Sequence, residues 1–218
     1  MSVPMKIDFV SDVSCPWCVV GLHALEQALE RVRDTVSAEL HVQPFELNPQ
    51  MPPAGQDIIE HLQQKYGSTV EQLASNSETI HARGAELGFE FRMETRKRVY
   101  NTFDAHRLLH WAELDGRGVA LKHALFRAYF TDGENPSDHD TLVRLAVEVG
   151  LDGDRARSLL ASDTYASDVR IVERYFQEHG IHAVPAVIIN DRHLISGGQA
   201  VETYEGALRQ LANSPERP

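Results

Sequence analysis

The feature that most constrains this chain is a pair of cysteines two residues apart. Cys15 and Cys18 are the only cysteines among its 218 residues. Residues 5–10 before them alternate between apolar and polar side chains, which predicts a strand. Apolar residues recur at helical spacing over 16–32, which predicts a helix after the pair. A CxxC pair at a strand-to-helix turn is typical of a redox-active dithiol, so the sequence predicts such a site here.

The expected position of Cys15 favours a reactive thiolate. Pro16 suits the first residue of a helix because its missing N–H group would be unpaired there in any case. Cys15 is therefore expected at the N-cap, where unpaired N–H groups and the positive end of the helix dipole stabilise a thiolate. Cys18 follows one helical turn later, less exposed and within reach of a disulfide. We expect Cys15 to be the nucleophile and Cys18 the resolving thiol.

Two other interpretations of the cysteine pair stay open. Half of a zinc site would need two further thiol or imidazole ligands, and no second cysteine pair and no neighbouring histidine pair supplies them. Two unreactive buried cysteines are disfavoured because a polar strand-to-helix turn is normally exposed. For the same reason we expect Asp12 to lie in a solvated turn. The run 92–98 is also expected to be a solvated connector, because charged runs of this kind usually are.

The charge balance excludes some classes of partner. The formal net charge is −11, from 21 basic and 32 acidic residues, which argues against a nucleic-acid or anionic-membrane surface. No apolar stretch reaches membrane-spanning length. The N-terminal segment has no apolar core of a signal peptide, and two vicinal cysteines fit a cytosolic motif better than a structural disulfide framework. We therefore expect a cytoplasmic protein.

The remaining segments predict the order of elements along the chain. A second strand is expected at 38–45, parallel to the first because a helix-length crossover joins them. Between 57 and 179 nothing is typical of a strand. Two apolar runs, 183–189 and 192–196, flank a pair typical of a hairpin turn, Asn190-Asp191. Helices are predicted at 58–66, 70–87, 102–114, 119–130, 141–149 capped by Ser137, 155–161, 165–179 and 201–211, with a frayed tail at 213–218.

This order predicts an α/β protein with a thioredoxin fold that carries a large all-α helical insertion. The βαβ half would carry the dithiol at its first strand-to-helix turn. It would pack against a ββα half that follows the insertion in the sequence. We predict a discontinuous thioredoxin-like domain at 1–55 and 165–218. The inserted helical subdomain is predicted at 56–164, where it can cover the edge of the active site.

Six strings spread over most of the chain resemble the DsbA-like thioredoxin superfamily, and within it the FrnE-type branch of dithiol oxidoreductases. Any one string alone would be weak evidence, but the order and spacing of all six are specific. The strings are SDVSCPWC at 11–18, PFELNP at 44–49, NTFDAHRLLHWA at 101–112, LFRAYF at 125–130, VPAVIIN at 184–190 and ISGGQ at 195–199.

The resemblance implies roles for particular residues. Cys15 and Cys18 would be the redox pair, and Pro185 would be a cis-proline whose loop faces the dithiol. In that position Val184 can offer its backbone N–H and C=O to an extended substrate peptide. Helix capping by Asn101 and core packing by Phe103 explain those two residues equally well. The expected substrate-binding set is Pro16, Trp17, Asn101, Phe103, His106, Val184 and Pro185.

The chain also departs from the pattern of DsbA. DsbA has a histidine at the third motif position, where this chain has Trp17. No imidazolium is available there to stabilise the thiolate, so we expect a less oxidising disulfide than that of DsbA. A reductant or isomerase role in the cytoplasm follows more naturally than that of a dedicated oxidant.

The resemblance keeps a second function open. The kappa-class glutathione transferases and 2-hydroxychromene-2-carboxylate isomerases belong to the same branch, and in them a serine typically replaces the first cysteine and activates glutathione. This chain has Cys15, so its own thiol can react. We expect disulfide-containing proteins or peptides as partners, no metal and no bound cofactor. Glutathione as a co-substrate and a homodimer are left open, and a peptide-binding or metal-bridged module is the third alternative.

Overall fold

The protein, described here from a computed structural model of residues 2–213, contains two sheets and a set of helices around them. The strands are β1 (Val3–Ser11), β2 (Val36–Pro44), β3 (Gln56–Asp57), β4 (Arg98–Val99), β5 (Ala186–Ile189) and β6 (His193–Ser196). The helices are α1 (Pro16–Val32), α2 (Ile58–Tyr66), α3 (Val70–Glu86), α4 (Phe103–Leu114), α5 (Gly118–Phe130), α6 (His139–Glu148), α7 (Gly153–Leu160), α8 (Ala166–Glu178) and α9 (Val201–Asn213).

The larger sheet has the strand order β2-β1-β5-β6. β1 pairs in parallel with β2 and antiparallel with β5, and β5 forms an antiparallel hairpin with β6. At the hairpin turn Asn190 and Asp191 have φ values of 52° and 57°, the left-handed geometry that tight hairpin turns need. The parallel pair, the hairpin and the thioredoxin fold class predicted from the sequence are confirmed.

The two faces of β1 are both buried. Ile7 and Phe9 join a core cluster with residues of α1 and α9, among them Leu22 and Tyr204. Val10 belongs to a separate cluster on the other face, which α8 covers. Because β1 is buried on both faces, its end at Ser11 is held in place. The short turn from Ser11 to Pro16 can therefore place the start of α1 in few positions.

The helices between the two halves of the sheet have a core of their own. Their buried side chains come from α4, α5, α6 and α7, and include Leu108, Trp111, Leu121 and Leu142. The same cluster contains Val13 of the cysteine turn and Val42 of β2. The helical block is therefore packed directly against the turn that carries the cysteines.

Part of the prediction for this block was wrong. Residues 57–179 were expected to hold no strand, but β3 and β4 form a two-stranded antiparallel sheet through Gln56↔Val99 and Asp57↔Arg98. A two-residue strand is too short to show an alternating pattern, so its pairing is fixed by tertiary contacts. The cap of α6 also differs, because Asp138, and not Ser137, accepts the hydrogen bond from Thr141 N, at 2.8 Å.

The ends of the last elements differ slightly from expectation. β5 begins at Ala186, three residues after the predicted start, and α9 continues to Asn213. The rest of the predicted frayed tail lies outside the described residues. None of the helices within residues 2–213 combines the length and the apolar character that crossing a membrane requires.

We predict that Gly21→Ala destabilises the protein. A Cβ atom at Gly21 would lie 2.9 Å from Cγ of Pro185, closer than packed carbon atoms tolerate. Overpacking of this kind costs about 1–3 kcal/mol. Gly206→Ala in α9 is the matched control, because its Cβ would meet nothing within 4 Å and should stabilise by about 0.5–1 kcal/mol. Urea unfolding of both variants measures the difference, and equal stabilities would contradict this packing.

Candidate active site

The cysteine turn has the geometry that the sequence predicts. Cys15 is the N-cap of α1, with φ −94° and ψ 112°, and Pro16 is the first helical residue. The side chain of Cys15 forms no capping hydrogen bond, so its sulfur is not engaged with the helix backbone. Cys18 N donates to Cys15 O at 3.1 Å, which places the two residues one turn apart. Both cysteines are free thiols.

The burial of the two cysteine residues differs from the expectation that Cys15 would be exposed. The exposed fraction is 4% for Cys15 and 0% for Cys18. The loop before β5 encloses Cys15, whose Sγ lies 3.7 Å from the carbonyl oxygen of Val184. The expected ranking, with Cys18 the less exposed of the two, holds.

The loop that faces the dithiol is held against α1 and α9. The Val184–Pro185 peptide bond is cis, and Pro185 is buried against Gly21 of α1. Gly197 N donates to Pro185 O at 2.8 Å, and Tyr204 Oη donates to Gly197 O at 3.1 Å. These contacts with α1, α9 and Gly197 therefore fix the position of the Val184 carbonyl oxygen relative to the sulfur of Cys15.

Two partly exposed aromatic side chains, Trp17 and Tyr66, belong to the surroundings of the dithiol. Trp17 is 37% exposed, and a Cβ at Gly198 would lie only 2.9 Å from the carbonyl oxygen of Trp17. Tyr66, at the end of α2, is 58% exposed. Burial raises the pKa of Tyr66, and the charge of Cys15 raises it further, so this hydroxyl lies within electrostatic reach of the dithiol. No motif in the sequence marks Tyr66 as a site residue.

Asp12 is buried, and the prediction of a solvated turn was wrong for it. Its carboxylate accepts hydrogen bonds from Ser14 N at 3.2 Å, Ser14 Oγ at 3.0 Å and Leu47 N at 2.7 Å. His106 Nε2 lies 3.4 Å from Asp12 Oδ1. Burial became possible because these donors replace water around the carboxylate.

The environment keeps Asp12 ionised. Burial acts to raise its pKa, but the hydrogen bond and charge of His106 and the bond from Leu47 N outweigh burial and lower the pKa to about 2. A fixed negative charge therefore lies beside the cysteine turn at neutral pH.

Lys122 of α5 is a buried cation close to the dithiol. It is 1% exposed, and its Nζ donates to the carbonyl oxygen of Ser11 at 3.4 Å. Burial lowers its pKa to about 8, against the opposing effect of Cys18, Asp12 and Cys15. Sequence analysis did not identify Lys122, although a lysine between the apolar residues Leu121 and Ala124 of a helix is a signal.

The same surroundings act on Cys18. Burial raises the pKa of its thiol well above the usual range, and the hydrogen bond and charge of Cys15 raise it further. The positive charge of Lys122 lowers the pKa of Cys18. The resolving thiol is thus protonated at rest, with a cation nearby that favours its ionised form.

Three of the predicted site residues lie in α4 or just before it. Asn101 Oδ1 accepts from Phe103 N at 2.9 Å, and Asn101 Nδ2 donates to Met51 O at 3.4 Å. The guanidinium of Arg170 lies 3.8 Å from the centre of the Phe103 ring. His106 is buried, and its Nε2 lies close to Asp12 of the cysteine turn.

The charged run 92–98 is not wholly a solvated connector. Arg96 is 8% exposed, and its guanidinium lies 5.4 Å from the ring centre of Tyr129 and 5.0 Å from that of Phe130. Burial lowers the pKa of Arg96, whereas Tyr129 and Cys15 raise it. Arginine stacked on aromatic rings tolerates burial better than lysine, which explains its place here.

Two cavities lie outside the cysteine turn, and neither is lined by a cysteine. A cavity of about 500 Å³ is bordered by α8, β5 and the hairpin, with Tyr175 and Phe176 among its lining residues. A cavity of about 180 Å³ between β2 and α4 is lined by both His106 and Lys122.

Among residues 2–213, one group of three side chains has the composition and spacing of metal ligands. It consists of His23, Glu26 and His123, and it contains neither cysteine. The structure thus offers no third ligand to the zinc interpretation of the dithiol within the described part of the chain.

Comparison with known proteins gives matches that extend over most of the chain. A family model described as a DSBA-like thioredoxin domain matches residues 6–209. The crystal structure of a probable DsbA oxidoreductase from Streptomyces coelicolor is 34% identical, with a TM-score of 0.90 over 98% of this chain and 93% of that one. The uncharacterized protein YwbO of Bacillus subtilis strain 168 is 30% identical over 95% of this chain and 96% of its own.

A more distant structure shares the fold. The cytosolic disulfide reductase DsbM from Pseudomonas aeruginosa, solved with GSH, has a TM-score of 0.64 over 94% of this chain and 98% of its own. Its sequence is 18% identical, so this similarity shows the fold alone.

We predict that Lys122→Met stabilises the protein at pH 7. The pKa of Lys122 is lowered from 10.5 to about 8, which costs about 3 kcal/mol below pH 8. Loss of the bond to Ser11 returns about 1 kcal/mol, leaving a gain of about 2 kcal/mol. Between pH 8 and 10.5 the unfolded chain binds the proton more tightly, so wild-type stability rises with pH and the advantage of the variant shrinks.

Urea unfolding over this pH range tests the prediction. Both proteins should carry Cys15→Ser and Cys18→Ser, so that no thiol titrates. Lys97→Met is the matched control, because Lys97 is exposed and its replacement should change stability by less than about 0.5 kcal/mol. If the Lys122→Met protein is less stable at pH 7 than the protein that keeps Lys122, the buried charge does not destabilise the fold and the prediction is wrong.

Proposed function

The chain belongs to the family of DSBA-like thioredoxin domains, and from this premise we propose that it exchanges disulfides with protein or small thiol substrates through Cys15 and Cys18. Membership in this family supports a thiol–disulfide oxidoreductase in general. The observation that carries the specific proposal is a pair of free thiols one helical turn apart, the first at the N-cap of α1 and facing the Val184 carbonyl.

The proposed reaction has two steps. The Cys15 thiolate attacks one sulfur of a substrate disulfide, so that a mixed disulfide forms and the other substrate sulfur leaves as a thiolate. Cys18 then loses its proton and attacks Cys15 Sγ, which forms the Cys15–Cys18 disulfide and releases the second substrate thiol. Two electrons pass from the protein to the substrate. Isomerisation uses the first step and its reversal.

Burial of Cys18 separates the two steps. Because burial raises the pKa of this thiol, Cys18 does not compete with Cys15 for the first attack. The charge of Lys122 favours the Cys18 thiolate when the second attack begins. We propose Lys122 and Asp12 as positioning residues for this step, and His106 as the residue that holds Asp12.

The proposed substrate surface consists of Trp17, Val184 and Pro185, next to Cys15. An extended peptide can pair with the backbone of Val184 and rest its side chains on the exposed indole of Trp17. Pro16 starts the helix beneath this surface. Asn101 and Phe103 would act on it indirectly, through the loop that contains Met51 and through Arg170.

We propose glutathione as the small thiol that restores the reduced dithiol, and a cytoplasmic location. DsbM, which shares the fold, is described as cytosolic and was solved with GSH. Glutathione is an extended tripeptide, so the surface that serves a peptide substrate also suits it. Two vicinal cysteines without further cysteines are typical of reducing compartments.

Replacement of each cysteine should have a different effect. We expect Cys15→Ser to abolish reduction of insulin disulfides, because no thiol remains at the helix N-cap. Cys18→Ser should also lose turnover, but its Cys15 should form a stable mixed disulfide with a peptide disulfide, because nothing resolves it. Mass spectrometry under non-reducing conditions measures the adduct. The Cys15→Ser protein is the control, and an equal adduct through Cys18 in that variant would reverse the assigned roles.

Glutathione should reduce the oxidised protein through Cys15. We expect GSH to attack Cys15 Sγ of the Cys15–Cys18 disulfide, which forms a glutathione adduct on Cys15 and releases Cys18 as a thiolate, and a second GSH to displace Cys15 with formation of GSSG. Cys18→Ser cannot form the protein disulfide, so it is treated with GSSG, whose disulfide the Cys15 thiolate attacks with release of one GSH. The adduct should accumulate in that variant and be missing in Cys15→Ser. Thiol counting and adduct mass measure both. Conjugation of GSH to a model electrophile that persists in Cys15→Ser would instead support the glutathione-dependent transferase or isomerase.

A further inference from the structure

We propose that His23, Glu26 and His123 form a binding site for a Zn²⁺ ion that links α1 to α5. The site is separate from the dithiol and does not depend on the proposed function. Its ligands come from the helix that carries the cysteines and from the helical block, which are far apart in the sequence. For that reason the sequence analysis, which expected no metal, could not detect it.

The three side chains already converge. One potential ligand atom from each lies within 4.8 Å of those of the other two. His123 Nε2 is 2.8 Å from Glu26 Oε1, and the rings of His23 and His123 have centroids 4.9 Å apart. Ligand atoms around a tetrahedral Zn²⁺ are about 3.3 Å apart, so small side-chain rotations close the site. His23 and Glu26 lie on one face of α1 because they are three residues apart.

One polar atom of this group has no partner. His23 Nε2 is buried and makes no hydrogen bond. The ring of His23 is otherwise held by aromatic contacts, at 5.3 Å from Phe89 and 4.9 Å from His123. A buried ring nitrogen without a hydrogen bond is uncommon, and coordination of a metal is one way to satisfy it.

The ligand atoms of His23, Glu26 and His123 favour Zn²⁺ over other common divalent cations. Two imidazoles and one carboxylate suit Zn²⁺, whereas Ca²⁺ and Mg²⁺ require mainly oxygen ligands. The side chains of Glu26 and His123 are 34% and 31% exposed, so water can reach the fourth coordination position. Three protein ligands with one open position is a common arrangement for Zn²⁺.

A bound ion would couple the helical block to the cysteine helix. His23 is five residues after Cys18 on α1, about 7.5 Å along the helix axis. On α5, His123 directly follows Lys122, the cation that acts on Cys18. A Zn²⁺ ion at this site would therefore hold in register the two helices that bring Lys122 to the resolving thiol.

The experiment uses the full chain with Cys15→Ser and Cys18→Ser, so that the dithiol cannot bind metal. After removal of metal by a chelator, we expect isothermal titration with ZnCl₂ to give one site per chain, and Zn²⁺ to raise the melting temperature. Co²⁺ in place of Zn²⁺ should give visible absorption bands without a sulfur-to-metal charge-transfer band. Absence of Zn²⁺ binding would overturn the proposal.

Further variants locate the ion. His23→Ala, Glu26→Gln and His123→Ala should each weaken Zn²⁺ binding by more than about tenfold, with melting curves showing that the proteins are folded. His139→Ala is the matched control, because His139 Nε2 contacts Asp104 Oδ2 at the same 2.8 Å but belongs to no group of three. Its affinity should stay unchanged. Binding that is equally strong in His23→Ala and His123→Ala would place the ion elsewhere and contradict the proposal.

Discussion

The structure of the active site depends on the buried carboxylate of Asp12. A charge in the protein interior is tolerated only when hydrogen bonds replace water, and Asp12 obtains them from separate parts of the chain. Ser14 belongs to the cysteine turn, Leu47 to the loop after β2, and His106 to α4. The turn can therefore take its observed shape only when all three parts are in place. The geometry at Cys15 therefore depends on the packing of the cysteine turn, the loop after β2 and α4 around this carboxylate.

Lys122, the second buried charge near the dithiol, lowers the stability of the folded protein. Lys122 loses water without a carboxylate in direct contact, and its lowered pKa expresses that cost. A hydrophobic side chain would suit the interior of α5 better, as its neighbours Leu121 and Leu125 show. The lysine instead directs a positive charge toward Cys18, and this charge opposes the rise in pKa that burial imposes on the thiol. In the proposed mechanism, stability is given up at Lys122 where its charge favours the thiolate of the second cysteine.

Local sequence signals predicted the frame of the site but not its electrostatics. The N-cap position of Cys15, the parallel strand pair and the Asn190-Asp191 hairpin follow from neighbouring residues, and these predictions are confirmed. The burial of Asp12 was missed because its partner His106 is 94 residues away. The enclosure of Cys15 by Val184 depends on a contact across 169 residues. Whether a polar side chain is solvated is decided by such partners, and no pattern in a single segment contains them.

The helical block is consequently more than a cover for the thioredoxin fold. The sheet and α1 supply the sulfurs and one carboxylate, all of them groups that carry negative charge when ionised. The compensating groups, His106 and Lys122, come from α4 and α5. Without the block, Asp12 would keep the hydrogen bonds from Ser14 and Leu47 but lose His106, and Cys18 would lose the cation of Lys122. A chain that kept the strands, the CxxC turn and the Pro185 loop but lost these two helices would lack the groups that act on the pKa of Asp12 and of Cys18.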